Sequence, residues 1–288
     1  MKKLTPLLFI LVAIALLSSC KPANDKMVPG NEEVILNDIS FGTHPLQKMD
    51  VYLPKQRNAN TKVIIYIHGG GWFMGDKSEI KEGAVYFQQQ GFTFISINYR
   101  LTRTLENNIH PAQILDIDNA INLIIAKSKE WNISDSKLAF WGGSAGSHLS
   151  LLYAYKYNSA KKIKAVISTS GPTDLSDSVL GNNTIGGLSI GDMIVSYIGS
   201  SKSANPQAWK DASPINYITS SSIPSLFIHG TTDSAVPYHQ SVAAFNKLQN
   251  AGVTSFLEPL PNIGHSLQGI NWADILPKVI NFVNTYAQ

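Results

Sequence analysis

Short, nearly continuous apolar runs alternate along this chain with longer stretches in which apolar residues recur every third or fourth position. The runs read as strands buried on both faces, and the longer stretches as amphipathic helices. Their regular alternation predicts an α/β fold, a mostly parallel central sheet flanked by helices on both faces. Segments 33–40 and 48–53 are expected as an antiparallel edge. Further strands are predicted at 63–67, 92–98, 137–141, 164–169, 225–229 and 253–257, and helices at 78–90, 111–129, 145–157, 237–250 and 271–286. Pro111 opens the second of these helices, whose Ile114, Ile117, Ile121, Leu123, Ile124 and Ile125 form the stripe expected to be buried. One stretch breaks the alternation. Residues 171–223 are too many for a simple crossover and contain a Gly- and Asn-rich run at 181–187, then Pro206, Trp209 and Pro214. Insertions above the carboxyl edge of a sheet commonly cover a binding site, so part of this one is expected to form a small lid or cleft wall; a surface loop without order is the alternative.

Composition adds three constraints. Lys2 and Lys3 precede an apolar stretch at 7–17 that is short for a membrane span, which reads as a secretory signal over 1–19, with an uncleaved membrane anchor as the alternative. The string Leu17-Ser18-Ser19-Cys20 that follows resembles a bacterial lipobox. That resemblance implies export, with Cys20 as a lipidated N-terminus anchoring the protein to a bacterial membrane through the polar tether 20–31. Cys20 is also the only cysteine, so no disulfide forms within the chain. Without Lys2 and Lys3, 21 basic residues face 20 acidic ones, which is no nucleic-acid footprint. Residues 32–288, from a chain 44% hydrophobic and 15% charged, suffice for one domain with one large core. Neither internal repeats nor metal-ligand spacings occur, and no metal is expected.

Two glycine-rich strings stand at the ends of predicted strands. In Trp141-Gly142-Gly143-Ser144-Ala145-Gly146, a G-x-S-x-G, Ser144 falls on the tight turn between strand 137–141 and helix 145–157. Such a turn brings position i−2 close to i+2, and only Gly142 and Gly146 leave room for that approach. The Ala145 amide, at the helix N-terminus, then faces the place where negative charge would develop. The second string, His68-Gly69-Gly70-Gly71-Trp72, follows strand 63–67. Its glycines free the backbone to turn the amides of Gly70 and Gly71 toward a neighbouring site, where with Ala145 they would form an oxyanion hole; a plain glycine turn is the alternative. Trp72 either lines the acyl side of the cleft or packs beneath the glycine loop.

A serine hydroxyl is nearly inert at neutral pH, so it needs a base in reach and an acid to orient that base. His265 lies in the loop between the last strand and the last helix, where the carboxyl edge of the sheet would bring it beside Ser144. Asp233 follows the penultimate strand and would be its neighbour; Asp174 reads instead as a turn or cap residue, and Glu258 as part of the final strand. Of the other histidines, His68 and His229 read as loop braces and His148 as structural. His44, His110 and His239 read as surface or packing residues. Arg100 and Asp116 are expected to pair behind the glycine loop.

The chain order Ser144, Asp233, His265 is the order used by α/β-hydrolases. From about residue 46 to 286 the sequence resembles that superfamily, in its esterase branch with HGGGW and GGSAG strings: the feruloyl-esterase-like and acetyl-xylan-esterase-like carboxylesterases, related to hormone-sensitive-lipase-like esterases. The string Asn98-Tyr99-Arg100-Leu101, the helix opening at Pro111, and the run from His229-Gly230 through Asp233 to Val236-Pro237 also resemble it. Ser147 stands where the branch often has glycine, with little consequence expected. The resemblance implies a serine esterase without metal or organic cofactor, acting on small-molecule or polysaccharide-linked esters of short acyl or aromatic acids. A shallow cleft is expected, since few residues precede the first central strand. Rival readings are an amidase or peptidase on the same triad and a catalytically silent binding protein on this scaffold.

Overall fold

The computed structural model describes residues 32–102 and 108–288. The expected signal segment, Cys20 and the tether 20–31 lie outside the described residues. The chain forms β1 (Val34–Ser40), β2 (Lys48–Leu53), β3 (Val63–Ile67), β4 (Thr93–Ile97), β5 (Leu138–Gly143), β6 (Ile163–Thr169), β7 (Thr184–Ile185), β8 (Leu188–Ser189), β9 (Ser225–Gly230) and β10 (Ser255–Leu260). Eight of these make one sheet in the order β1-β2-β4-β3-β5-β6-β9-β10, while β7 and β8 pair as a separate ribbon. β2 runs antiparallel to both β1 and β4, and the remaining neighbours are parallel. The unbroken apolar run of β3 has its cause in this position, between β4 and β5 and covered on both sides: Val63, Ile64, Ile65 and Ile67 are all fully buried. Each such side chain stabilises the fold by about 1.5–3 kcal/mol through burial alone.

The helices follow as α1 (Lys81–Gln89), α2 (Ala112–Trp131), α3 (Ala145–Leu152), α4 (Ser178–Asn182), α5 (Ile190–Ile198), α6 (Pro206–Asp211), α7 (His239–Asn250) and α8 (Trp272–Tyr286). Phe87 of α1 and Val279, Phe282 and Val283 of α8 pack on one face of the sheet, and α2, α3 and α7 contribute to the core on the other. In α2 the stripe Ile114, Ile117, Ile121 and Ile124 is buried as expected, with Leu123 and Ile125 half-buried at its flanks.

Several boundaries differ from the sequence pattern: α7 starts at His239 rather than 237, for example, and β5 runs on to Gly143 rather than ending at 141. The segment expected as one helix at 78–90 starts as a 3-10 turn, Lys77–Ile80, whose N-cap Asp76 and third residue Glu79 close a capping box. The helix expected at 145–157 ends in a π-helical turn, Tyr153–Tyr157. The last strand begins two residues late because the amide of Val253 is committed to the Leu248 carbonyl at 2.9 Å, closing α7 through Gly252 at φ 72°. Residues 171–223 fold as α4, the β7/β8 ribbon, α5 and α6. Asp177, Ser189 and Asn205 cap the three helices, and Ile194, Tyr197 and Trp209 join the core.

Candidate active site

β5 ends at Gly143 and α3 begins at Ala145, so Ser144 alone makes the turn, with φ 49° and ψ −117°. A non-glycine residue holds such a conformation only where its surroundings over-determine it. Here the Ser144 amide donates to Thr169 of β6 at 2.8 Å, and the glycines permit the close contacts. A Cβ on Gly142 would lie 2.4 Å from the Gly146 carbonyl, and one on Gly146 would lie 2.0 Å from the carbonyl of Ile67 in β3. Ser147, expected to matter little, ties the turn down from behind. Its Oγ accepts from the Thr169 amide at 2.8 Å and touches the carbonyls of Gly142 and Thr169, a link no glycine provides.

Three side chains from three loops meet at this edge. Ser144 Oγ lies 2.9 Å from His265 Nε2, and His265 Nδ1 lies 2.7 Å from Asp233 Oδ2. The second carboxylate oxygen of Asp233 accepts from the amides of Ala235 and Val236 at 2.9 and 2.8 Å, which fixes its plane. A carboxylate that only accepts requires His265 to carry its proton on Nδ1, leaving Nε2 to accept from the serine hydroxyl. His229, anticipated as a brace, has its Nε2 near both the Val236 carbonyl at 2.9 Å and Asp233 Oδ2 at 3.2 Å. Burial alone would raise the Asp233 carboxyl, but the hydrogen bonds from His229 and His265 outweigh it and hold the pKa at about 2.

That depression has a consequence for stability. A carboxyl held below its unfolded value contributes fully above about pH 4 and loses the contribution as pH falls toward about 2. We expect about 2 kcal/mol of wild-type stability from this source near neutral pH, most of it gone by about pH 2. Urea unfolding of wild type and Asp233→Asn should show the two converging over that acid range; a constant difference would contradict the assignment.

The glycine loop abuts the serine: a Cβ on Gly69 would lie 3.3 Å from Ser144 Cβ. The Gly69 carbonyl accepts from Tyr99 Oη at 3.1 Å, and the Gly70 carbonyl from the amides of Phe73 and Met74 at 3.1 and 3.0 Å. In trans peptides the N–H opposes the C=O, so the amides of Gly70 and Gly71 point away from these anchored carbonyls. Positive φ at both residues (94° and 58°) permits this path. Gly70, Gly71, Ser144, Ala145 and His265 border one cavity of about 600 Å³. The Ala145 amide opens α3 and so has no carbonyl partner within the helix, and Ser144 makes no cap hydrogen bond to it. The arrangement therefore offers a hydroxyl beside an acceptor nitrogen, with oriented amides beside both.

Trp72 is 2% exposed, stacked on Tyr197 at 4.9 Å, with its Nε1 donating to His148 Nδ1 at 3.2 Å; the ring packs beneath the loop, although the residue also borders the cavity. Burial lowers His148 to about 3, so it stays neutral and serves as a fixed acceptor for Trp72 and donor to the Ala212 carbonyl. Arg100 pairs with the fully buried Asp116 at 2.7 Å. Asp174 closes a local turn onto the Ser176 amide, and Glu258 pairs with Lys278. The insertion supplies an apolar wall to the cavity through Leu180, Ile185, Leu188, Ile190 and Met193. Sequence reasoning passed over Tyr66, which borders the cavity from the end of β3.

The BD-FAE family profile matches residues 49–248. The chain is similar to Esterase LipC of Mycobacterium tuberculosis, with 28% identity over 82% of this chain, and to the probable carboxylic ester hydrolase LipM of the same organism, with 26% over 74%. It spans only 60% and 51% of those two proteins. A solved structure described as a truncated form of carbohydrate esterase from gut microbiota superposes with a TM-score of 0.74 at 24% identity. That match covers 91% of this chain and 99% of the other.

Proposed function

The chain belongs to the BD-FAE family and has the α/β-hydrolase fold, and from these premises we propose that it is a serine esterase working through Ser144, His265 and Asp233. The observation that carries this reading is the unbroken hydrogen-bonded series from hydroxyl to imidazole to carboxylate. His265 Nε2 takes the proton of Ser144 as Oγ attacks the ester carbonyl. Asp233 steadies the resulting imidazolium, and the amides of Gly70, Gly71 and Ala145 hold the oxyanion. The imidazolium then returns its proton to the departing alkoxide, which leaves as the alcohol and an acyl-Ser144. Water, deprotonated by the same imidazole, attacks that ester and releases the acid, restoring the hydroxyl.

Substrates in this proposal are small-molecule or polysaccharide-linked esters of short acyl or aromatic acids. The apolar wall beside Ser144 and the likeness to a carbohydrate esterase support this class. The N-terminal string ending at Cys20 supports an exported protein held at a bacterial membrane by lipid. Turnover of p-nitrophenyl acetate, methyl ferulate and a peptide p-nitroanilide tests the reaction class. Hydrolysis of the esters with no detectable cleavage of the anilide is expected. Cleavage of the anilide alone would favour the amidase reading, and inertness of the folded protein toward all three a silent scaffold.

A further inference from the structure

The walls of the cavity on either side of Ser144 differ in chemistry. The insertion offers only apolar side chains, whereas the other side carries Tyr66, Glu79 and Ser266. Tyr66 sits on the sheet face covered by α1 and α8, stacked on Phe94 at 6.1 Å and meeting Trp141 edge-on at 6.1 Å. These rings fix its direction. Its Oη reaches the back of the serine turn, 3.0 Å from where a Cβ on Gly143 would lie, and takes no hydrogen-bond partner among the described residues. Glu79 stands nearby on the 3-10 turn. One of its carboxylate oxygens accepts from the Asp76 amide at 2.9 Å, leaving the other for the cavity. Burial, then the charge of Glu79, pushes the Tyr66 phenol up to about 12, so it remains a protonated donor at working pH.

The reaction itself assigns the two walls. His265 must return a proton to the departing alkoxide, so the alcohol half of the ester lies on the His265 side. Leu267, which follows in the same loop and borders the cavity, packs in the same core layer as Tyr66. The acyl half then turns toward the insertion. An apolar alcohol would strip water from Tyr66 Oη and the free Glu79 oxygen without replacing their hydrogen bonds, and sites with such groups discriminate strongly against partners lacking hydroxyls.

Resting on the esterase reading above, we propose that Tyr66 and Glu79 determine specificity for the alcohol half of the substrate, by hydrogen-bonding free hydroxyls of a sugar unit next to the scissile ester. The test compares two acetates with alcohols of similar ring size, a monoacetylated methyl xyloside and cyclohexyl acetate, as the ratio of their kcat/KM values. Tyr66→Phe keeps the ring contacts and should lower that ratio about tenfold. Glu79→Gln keeps the cap, since glutamine also closes a capping box, but replaces the charged acceptor facing the cavity with a neutral amide donor, and should lower the ratio by a smaller factor, about fivefold, should Tyr66→Phe not fold. A merely structural role would slow both esters alike. A ratio within about twofold of wild type in a folded variant overturns the inference while leaving the esterase reading intact. A folded wild type that turns over neither ester, nor p-nitrophenyl acetate, overturns the esterase reading and this inference with it.

Discussion

Ser144→Ala should lower ester turnover about 10⁶-fold, the loss expected when a nucleophile is removed from a hydrogen-bonded triad whose members act as a unit. Among the described residues the hydroxyl bonds only to His265 Nε2, at 2.9 Å, and it makes no cap hydrogen bond to α3. Its loss therefore leaves the turn's anchors in place: the amide of residue 144 still reaches Thr169, and Ser147 still joins β5 to β6. The oriented amides also survive, so a small residual rate over water is expected from them. Steady-state kinetics on p-nitrophenyl acetate, paired with urea unfolding, separate the two effects. A large loss of activity with stability within about 1 kcal/mol of wild type is the expected pair. Retention of more than about a tenth of wild-type activity would remove Ser144 from the chemistry.

Asp233→Asn should lower turnover about 10⁴-fold for a different reason. In the wild type, Asp233 Oδ1 accepts from the amides of Ala235 and Val236, and Oδ2 faces His265 Nδ1 at 2.7 Å. An asparagine keeps the first two hydrogen bonds by placing its carbonyl there, which turns its NH₂ toward His265. The imidazole must then accept on Nδ1 and carry its proton on Nε2, so it cannot take the proton of Ser144. Geometry is preserved while the tautomer is wrong. The loss should appear in kcat with little change in KM. Activity near wild type in this variant would move the acid to another carboxylate.

How much of this was legible in the sequence depended on whether a residue's role has more than one chemical solution. Gly142 and Gly146 were legible because two backbones approaching within a Cβ radius admit only glycine, and the contacts at 2.4 and 2.0 Å are of that kind. β2 and β3 were legible to the residue, β3 because apolar side chains fill it and β2 because Met49, Val51, Tyr52 and Leu53 crowd one short run. The lateral meeting of Ser144, Asp233 and His265 followed from strand alternation, since loops at one sheet edge become neighbours whatever their separation along the chain. Tyr66 was not legible. A tyrosine near the end of a buried strand matches the pattern of any core aromatic, and only its register beside Trp141 of β5, one strand over, brings its oxygen to the serine turn. His229 was legible as a brace. Its approach to Asp233 depends on the path of the loop before α7, which hydrophobic periodicity does not specify. The role of Ser147 was hidden because its hydroxyl acts on β6, reached only through tertiary packing.

In the proposed mechanism the Ser144 hydroxyl is activated by His265 and attacks a carbonyl or its mimic to form a covalent bond. Peptide mass mapping after the folded protein is treated with a fluorophosphonate, an electrophile that captures activated serines, reads that step. A single phosphonyl group on Ser144 is the predicted result, absent from Ser144→Ala and acquired far more slowly by Asp233→Asn. A folded wild-type protein that stays unlabelled, or carries the label on another residue while Ser144 remains free, would contradict it.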